Sequence, residues 1–454
     1  MLENNKKSMQ VIVNHLKAQG FVFQGSEIYG GLANTWDYGP LGCLLKDNIV
    51  KQWKNFFIFS EKNNYLLDSK ILMHPNVWVT SGHVVNFNDP LIENKVNKKR
   101  YRADKLMNEV DPNIIPEQYT FEQMYEYLCA HLKEYDGAKT DWSPIRKFNL
   151  MFETQQGVIE DQKSKIYLRP ETTQGIMLNF KNIQRTMRSK LPMGIGQIGK
   201  SFRNEVTPGN FIFRTREFEQ MELEVFCSPE EADKTYQEYL LKAQNFVEFL
   251  GMKKANYRLR VHDETELSHY SSGTSDIEYL FPFGWGELLG VANRTNFDLK
   301  SHMEATGENL EYQDPITNQK YIPYVIEPSM GLDRLMLALI VDAYDEEIIG
   351  ENDTRIVMHF DKKIAPYQVA VLPLVKKQSE LANKIYQNLI RTGISATYDE
   401  AGSIGKRYRR QDAIGTLKCI TIDYDTENDN NITIRDRDTM EQIRVKIEDL
   451  HKYL

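Results

Sequence analysis

Ser201-Phe202-Arg203-Asn204-Glu205, a turn at Thr207-Pro208-Gly209, then Phe213-Arg214-Thr215-Arg216-Glu217-Phe218 running into Glu219-Gln220-Met221-Glu222-Leu223-Glu224-Val225 is the stretch that decides the fold. It reads as strand, loop, strand. In the second strand the alternation sets Met221, Leu223 and Val225 on one face and Gln220, Glu222 and Glu224 on the other. An amphipathic strand with a solvated polar side is the ordinary reading of such a pattern. Here Arg203, Arg214 and Arg216 share one hairpin with the acids, the combination that a nucleoside triphosphate and a cationic substrate group would jointly require.

Just upstream, Gly194-Ile-Gly-Gln-Ile-Gly199-Lys200-Ser201 satisfies both GxxxxGK[ST] and GxGxxG. A phosphate loop needs a strand before the first glycine and a helix opening at the lysine, so that free backbone amides point at the anion. Neither flank fits: proline stands two residues ahead of Gly194, and Pro208-Gly209 leaves no room for a useful helix. The segment is read as a glycine-containing strand. A P-loop NTPase, with Cys419 to Asp423 as its acidic strand, stays the rival enzyme reading.

Outward from the hairpin, Ser8 caps a short helix ending at Gly20, and Phe21 to Phe23 reads as a strand. The turn-rich stretch Gly30 to Gly42 leads into an amphipathic helix of roughly 43–59. Residues 88–145 are polar, strand-poor, and read as an insertion with one helical stretch near Phe121 to Leu132. From Met151 to Phe226 strand-like segments dominate. Ser228-Pro229-Glu230-Glu231 opens a helix to Gly251, Tyr324 to Glu327 is a short strand broken by Pro328, and Gly331 to Tyr344 is a buried helix. After Ala365-Pro366 strands and helices alternate (Val369 to Leu372, about 378–391, Ile394 to Tyr398, a helix, Cys419 to Asp423), which predicts a small separate α/β domain.

Composition narrows the class. With 41% hydrophobic and 26% charged residues in 454, the chain falls among folded globular proteins, which excludes disordered and fibrous classes. The longest apolar run, Leu335 to Val341, falls far short of the ~20 residues that span a bilayer, so no membrane association and a cytoplasmic location are expected. Cys43, Cys129, Cys227 and Cys419 form no CxxC pair and the histidines no HExxH, so neither a disulfide framework nor a zinc site is expected. The net charge of −8 is unevenly placed: from Lys362 onward 16 Lys and Arg outnumber 13 Asp and Glu, while residues 1–361 carry −11. That asymmetry points to a polyanion on the C-terminal part.

Taken together, the hairpin, Pro328-Ser329-Met330-Gly331-Leu332-Asp333-Arg334 with its helix, and Trp36-Asp37-Tyr38-Gly39-Pro40-Leu41-Gly42 resemble motifs 2, 3 and 1 of the class II aminoacyl-tRNA synthetases. With Arg169-Pro170-Glu171-Thr172 and Gly284-Trp285-Gly286-Glu287-Leu288 between them, the chain resembles the dimeric glycyl-tRNA synthetases along nearly its whole length. The resemblance implies an α+β fold: an antiparallel catalytic sheet flanked by helices over 1–361, holding the 88–145 insertion, and an α/β anticodon-binding domain over 362–454. It also implies a homodimer with motif 1 at the interface, and glycine, ATP and tRNA(Gly) as substrates.

By the same resemblance, Arg203 holds the ATP α-phosphate, and Phe218 and Arg334 sandwich the adenine. Glu205 and the Arg214 to Arg216 loop take the adenine edge and outer phosphates, and Glu287 holds magnesium on them. The catalytic set is Arg203, Glu205 and Arg334. Asn204, Phe213, Thr215, Glu217, Leu288, Gly331, Leu332 and Asp333 complete the nucleotide site. Glu171, Glu222, Glu327 and Ser329 line the glycine pocket with Phe218, Glu219, Gln220, Met221, Pro328, Met330 and Gly331, and Arg102 lies near the substrate carboxylate. Clustered acids raise one another's pKa unless a cation is bound, which suits an ammonium. Rejection of alanine is then steric. Many relatives carry a CxxC zinc element just before Arg102; Glu93 to Lys98 here lack it, so zinc is not carried over. In the C-terminal domain Gly405-Lys406-Arg407-Tyr408-Arg409-Arg410 is a basic, aromatic-interrupted run, and Lys406, Arg407, Arg409 and Arg410 are the expected tRNA contacts. The alternative from another class is a catalytically inactive, synthetase-like accessory subunit that binds nucleic acid, although such a module has no use for Arg203, Glu205, Glu287 and Arg334 together.

One pair of variants separates the P-loop from the motif reading. Lys200→Ala is expected to leave adenylate formation largely intact, whereas Arg203→Ala removes it by ~3 kcal/mol or more of lost transition-state stabilisation. Loss of ATP use in Lys200→Ala, measured by pyrophosphate exchange, would restore the P-loop.

Overall fold

The computed structural model of the protein describes residues 8–157, 165–263, 267–268, 271–351 and 353–454. α1 (Met9–Gln19) ends at Gly20 in the left-handed region, and Ser8 precedes it without a side-chain cap bond. A short hairpin of β1 (Val22–Gln24) and β2 (Trp36–Tyr38) leads into α2 (Pro40–Trp53), which continues as a wider turn to Phe59.

The decisive stretch forms two adjacent inner strands of a seven-stranded sheet. Its strands are β3 (Asn64–Leu66), β4 (Met193–Phe202), β5 (Glu217–Cys227), β6 (Tyr257–Val261), β7 (Gly273–Phe281), β8 (Gly284–Asn293) and β9 (Tyr324–Gly331). They lie in the order β6-β7-β8-β9-β5-β4-β3. Every neighbouring pair is antiparallel except β4 with the edge strand β3.

Alternation in β5 is as expected, but its polar side is not solvated. Met221, Leu223 and Val225 join the main core, which includes residues of α2, α4 (Ala232–Phe249) and α5 (Leu332–Ala343). On the other face α3 (Thr173–Thr186) packs through Ile176, Met177 and Phe180 against Ile195 and Phe226. Glu222 and Glu224 are therefore buried as well. α3 interrupts the strand-dominated stretch expected from Met151 to Phe226. Gly175 in its first turn marks a close approach, since a Cβ there would fall 1.9 Å from Ser69 Oγ.

The GxGxxGK segment lies wholly within β4, and Gly199 leaves room for Arg169, which donates to the Lys200 carbonyl at 2.7 Å. Pro328 does not break β9. Its place falls where the ladder to β5 lapses between Glu222↔Ser329 and Val225↔Ile326, so its missing N–H leaves nothing unpaired there. The 88–145 insertion has its own core around Ile92, Leu106, Leu128 and Trp142. Its strands Asn88–Asn94 and Lys99–Arg102 form a three-stranded sheet with Arg146–Asn149 just beyond it, which sequence periodicity did not announce.

The C-terminal part is a mixed sheet of β10 (Val369–Pro373), β11 (Ala396–Tyr398), β12 (Lys418–Ile422), β13 (Asn431–Asp436) and β14 (Gln442–Lys446), with α6 (Ser379–Arg391) and α7 (Ile404–Ile414). It carries a separate core. Among the described residues no helix is long and apolar enough to cross a membrane.

Arg355 joins the two parts. Almost fully buried, it pairs with Glu347 at 2.5 Å, reaches Asp412 of α7 at 3.2 Å and donates to the carbonyl of Arg437 at 2.8 Å. Replacing it leaves two acids and a carbonyl with one donor fewer in a dry junction. Arg355→Met is expected to destabilise the chain by about 3 kcal/mol, read as a lowered midpoint in urea unfolding; an unchanged midpoint would show that the junction carries no such load.

Candidate active site

β5, β8, β9 and the opening turn of α5 converge on a cavity of about 240 Å³. Its lining holds both arginines and carboxylates. Arg214 and Arg334 are ion-paired with Glu205 and Glu287 beside Arg203, while Gln220 and Ser329 are hydrogen-bonded to Glu222, and Glu171 and Glu327 share Arg294.

Arg203, at the end of β4, donates through Nε to the Pro170 carbonyl at 3.1 Å and lies against the rings of Phe218 and Phe87, each centroid 5.3 Å away. Arg214 pairs with Glu205 at 3.2 Å. Arg334 stacks on Phe213 at 4.5 Å, donates to its carbonyl at 3.1 Å and pairs with Glu287 at 3.1 Å. The ring stacked on Arg334 is Phe213, while Phe218, expected on the other side of the adenine, lines the same cavity. Enclosure in the cleft opposes ionisation of Glu287, but Arg334 beside it, with Arg203 and Arg214, holds its carboxyl below the ordinary value.

The acids around Glu222 are buried. Glu222 Oε2 accepts from the Thr172 N–H at 2.9 Å and from the hydroxyls of Thr172 and Thr173, while Oε1 accepts from Gln220 at 2.8 Å and Ser329 at 2.9 Å. The start of α3 thereby aims its donors at the strand. The Gln220 carbonyl oxygen has no partner among the described residues, which leaves an acceptor in the cavity wall. Burial pushes Glu327 up to about 8, with Glu222 and Glu171 adding to it and Arg294, which donates at 2.5 Å, opposing. Glu171 goes the other way. Burial would raise it, but His83 at 3.2 Å, together with Arg294 and Arg203, holds it well below the carboxylate range. The expected mutual elevation of the three acids is therefore corrected: it does not hold for Glu171, because cations of the protein already face it. Beneath them Glu224 is fully buried with neither oxygen bonded, since the nearby Thr173 hydroxyl turns to Glu222; burial and then Glu327 push it well above its ordinary value.

Several expected residues lie elsewhere. Leu288, Leu332 and Met221 belong to the apolar core, because strand and helix periodicity turns them away from the cavity. Pro328 is buried within β9, and the Asn204 N–H holds the Leu150 carbonyl at 2.8 Å. Arg216 and Glu217 line a neighbouring groove of about 670 Å³ together with Thr215, which faces both. Glu219 is paired with Lys46 at 2.6 Å. Asp333 accepts from Tyr38 and from the Glu219 N–H at 2.7 Å, so it ties motif 1 to motif 2 with both oxygens engaged. Arg102 does not line the cavity itself: Asp104 at 2.6 Å and Asp89 at 3.1 Å take its guanidinium at the base of the insertion. Arg407 is 2% exposed and donates to the carbonyls of Pro373, Leu374 and Asp399, so it braces the domain from inside and does not present charge to solvent. Lys406 is exposed, while Arg409 and Arg410 pair with Asp353 and Asp399.

Sequence reading missed His83, Arg294 and Asp276. Arg294, bonded to Asp298 at 2.8 Å, is a lone arginine after a strand and carries no motif. Asp276, opposite Gly290 on β8, lines the cavity beside Glu287; burial and then the Glu287 charge raise it to about 6 against its bond to His262 at 2.6 Å. Two cavity-facing carboxylates fit magnesium, which takes one or two of them beside phosphate oxygens and water. The His, Asp and Glu group closest to a metal-ligand geometry among the described residues, Asp345, Glu347 and His359, lies instead at the domain junction.

Comparison with known proteins identifies the family. The model of the "tRNA synthetase class II core domain (G, H, P, S and T)" matches residues 152–344 and that of the "Anticodon binding domain" residues 368–454. A threonyl-tRNA synthetase RNA-binding domain structure from Cryptosporidium parvum Iowa II superposes with a TM-score of 0.65 over 98% of this chain and 97% of that one, at 16% identity, a likeness of fold. The chain is 61% identical to a "Glycine--tRNA ligase" of Mycoplasmopsis synoviae (strain 53), covering 99% of this chain and 100% of that one. It is 56% identical to one of Staphylococcus aureus (strain JH9), covering 99% and 98%. At that identity over the full length, with the arginine-and-acid cavity in place, the chain belongs to the glycine--tRNA ligase family of class II aminoacyl-tRNA synthetases.

Proposed function

We propose that the cavity activates glycine with ATP and that the activated glycine passes to the 3′ end of tRNA(Gly). The observation that carries this reading is one cavity lined both by three arginines and by a set of carboxylates. A glycine carboxylate oxygen attacks the α-phosphorus, pyrophosphate leaves, and a terminal ribose hydroxyl of tRNA then attacks the glycyl carbonyl and releases AMP. Arg203 stabilises the charge that builds on the α-phosphate, and no side-chain nucleophile is needed. Phe213, Phe218 and Arg334 supply the flat surfaces for adenine. Glu171, Glu327 and the free Gln220 oxygen receive the glycine ammonium, with Glu222 fixed beneath them between helix and strand. Glu287 and Asp276 would hold magnesium, which when bound offsets charge on the phosphate oxygens.

Residues 1–361 serve as the catalytic unit and 362–454 as the anticodon-binding unit. A homodimer is supported by the exposed Ile28, Tyr29 and Leu32 beside the motif 1 turn, a patch of the kind that partners cover. A translation enzyme of this kind works in the cytoplasm.

ATP–pyrophosphate exchange over a panel of amino acids tests the assignment: glycine alone should support it, and its absence with glycine would refute the reading. The pH dependence follows from Glu327. Below about 8 its carboxyl is protonated in the empty pocket, and a cation prefers the carboxylate, so binding the ammonium expels that proton. Apparent glycine affinity should therefore rise from pH 6 to 8, by up to about tenfold per unit at the steepest, and Glu327→Gln should flatten the profile. A wild-type profile already flat would remove Glu327 from the ammonium site.

On the RNA side, Lys406→Ala with Arg410→Ala should raise the KM for tRNA several-fold, about 1 kcal/mol, and leave exchange near wild type. Equal tRNA kinetics would move the contact elsewhere on the domain.

A further inference from the structure

The loop between β4 and β5 carries Phe213 and Arg214 into the cavity, and its backbone is strained. Asn210 and Phe211 both sit in the left-handed region, at φ 53° and 60°, where a residue with a Cβ is disfavoured by about 1–2 kcal/mol. Within the loop Gly209 and Arg214 exchange backbone bonds of 2.9 and 3.2 Å, and the Phe213 N–H reaches the Asn210 carbonyl at 3.1 Å. Side chains hold the outward carbonyls. Arg334 takes that of Phe213 from the cavity side. From the opposite side Asn34, nearly 180 residues earlier in the chain, donates its amide to the carbonyls of Arg214 at 2.7 Å and Phe211 at 3.1 Å.

Asn34 is itself fixed. Its Oδ1 accepts from the Trp36 indole at 3.2 Å, and the Trp36 ring meets Phe211 edge-on with centroids 4.7 Å apart. Asn34 adopts φ 49°, a conformation that asparagine tolerates better than most residues. It sits in the turn of the β1–β2 hairpin, closed by the Gly25 N–H on the Thr35 carbonyl at 2.8 Å and the Thr35 N–H on the Leu32 carbonyl at 3.1 Å.

The two holds differ in one respect. Arg334 faces the cavity and is claimed there by Glu287 and by any bound nucleotide. Asn34 and Trp36 line the separate groove behind the loop and do not line the cavity, so substrate does not compete for them. We propose that Asn34, braced by Trp36, is a positioning residue that keeps the strained loop in the shape in which Phe213 and Arg214 meet ATP. The inference rests on ATP occupying this cavity. The clamp sets ATP capture without touching the glycine end, where Glu171, Glu222 and Glu327 are held by other elements.

The test uses the full-length chain in glycine-dependent pyrophosphate exchange. Asn34→Asp keeps the shape and tolerance of positive φ but has no donor for the two carbonyls, and Asn34→Gly relaxes the backbone while removing the side chain. Both are expected to raise the KM for ATP about tenfold with the KM for glycine within about twofold and an unchanged melting temperature. Trp36→Phe, which keeps a ring against Phe211 and loses only the indole donor, should shift the same parameter by less. An ATP KM unchanged in a folded Asn34→Asp overturns the clamp. So does an equal rise in both KM values with a lowered melting temperature, the mark of a merely structural residue. Failure of the wild-type chain to exchange with glycine at all would instead refute the function on which the inference rests.

Discussion

Carboxylates buried in the middle of a β-sheet are the constraint on which the rest of this structure depends. Glu222 and Glu224 point to the same side of the central strand, and the register that sets Glu222 beside Ser329 and Val225 beside Ile326 brings Glu224 next to Glu327. Like charges at that separation repel, and burial penalises each of them. The structure answers differently for each acid. Glu222 accepts from donors at the start of α3 and from Gln220 and Ser329, Glu171 faces His83 and Arg294, Glu327 takes Arg294, and burial with the Glu327 charge pushes Glu224 well above its ordinary value. Glu171, Glu327 and the unbonded Gln220 oxygen are left on the wall as the acceptors that the proposed reading assigns to an ammonium.

The same logic runs in reverse for the arginines of the cavity. Arg203, Arg214 and Arg334 are held through Nε or one edge by carbonyls and acids, with the remaining donors facing the cavity. Guanidinium groups suit this because they bond through one edge and stack through the face at once. Glu205 and Glu287 keep the arginines apart and oriented before any substrate arrives, which is the preorganisation that electrostatic catalysis requires.

How much of this was legible before the structure depended on range. Strand alternation in β5, the buried helix α5 and the C-terminal alternation of strand and helix are local patterns, and each appeared where period and turn chemistry placed it. Misreadings arose where a local signal had a long-range cause. Pro328 resembles a strand end but falls at a lapse in one ladder, and Arg407 resembles a surface charge but fills the C-terminal domain from within.

The sequence by itself determined the order of the motifs, the chemical types gathered in them and the separation of an acidic body from a basic C-terminal part, because these reside in residue identity and spacing. Only the tertiary structure decided that burial pushes Glu327 up while cations hold Glu171 down, that Phe213 lies under Arg334, that Asp276 joins Glu287, and that Asn34 reaches across to the loop of the catalytic hairpin. Charge state and stacking depend on burial and on partners tens to hundreds of residues away, and no local pattern encodes a distance across the fold.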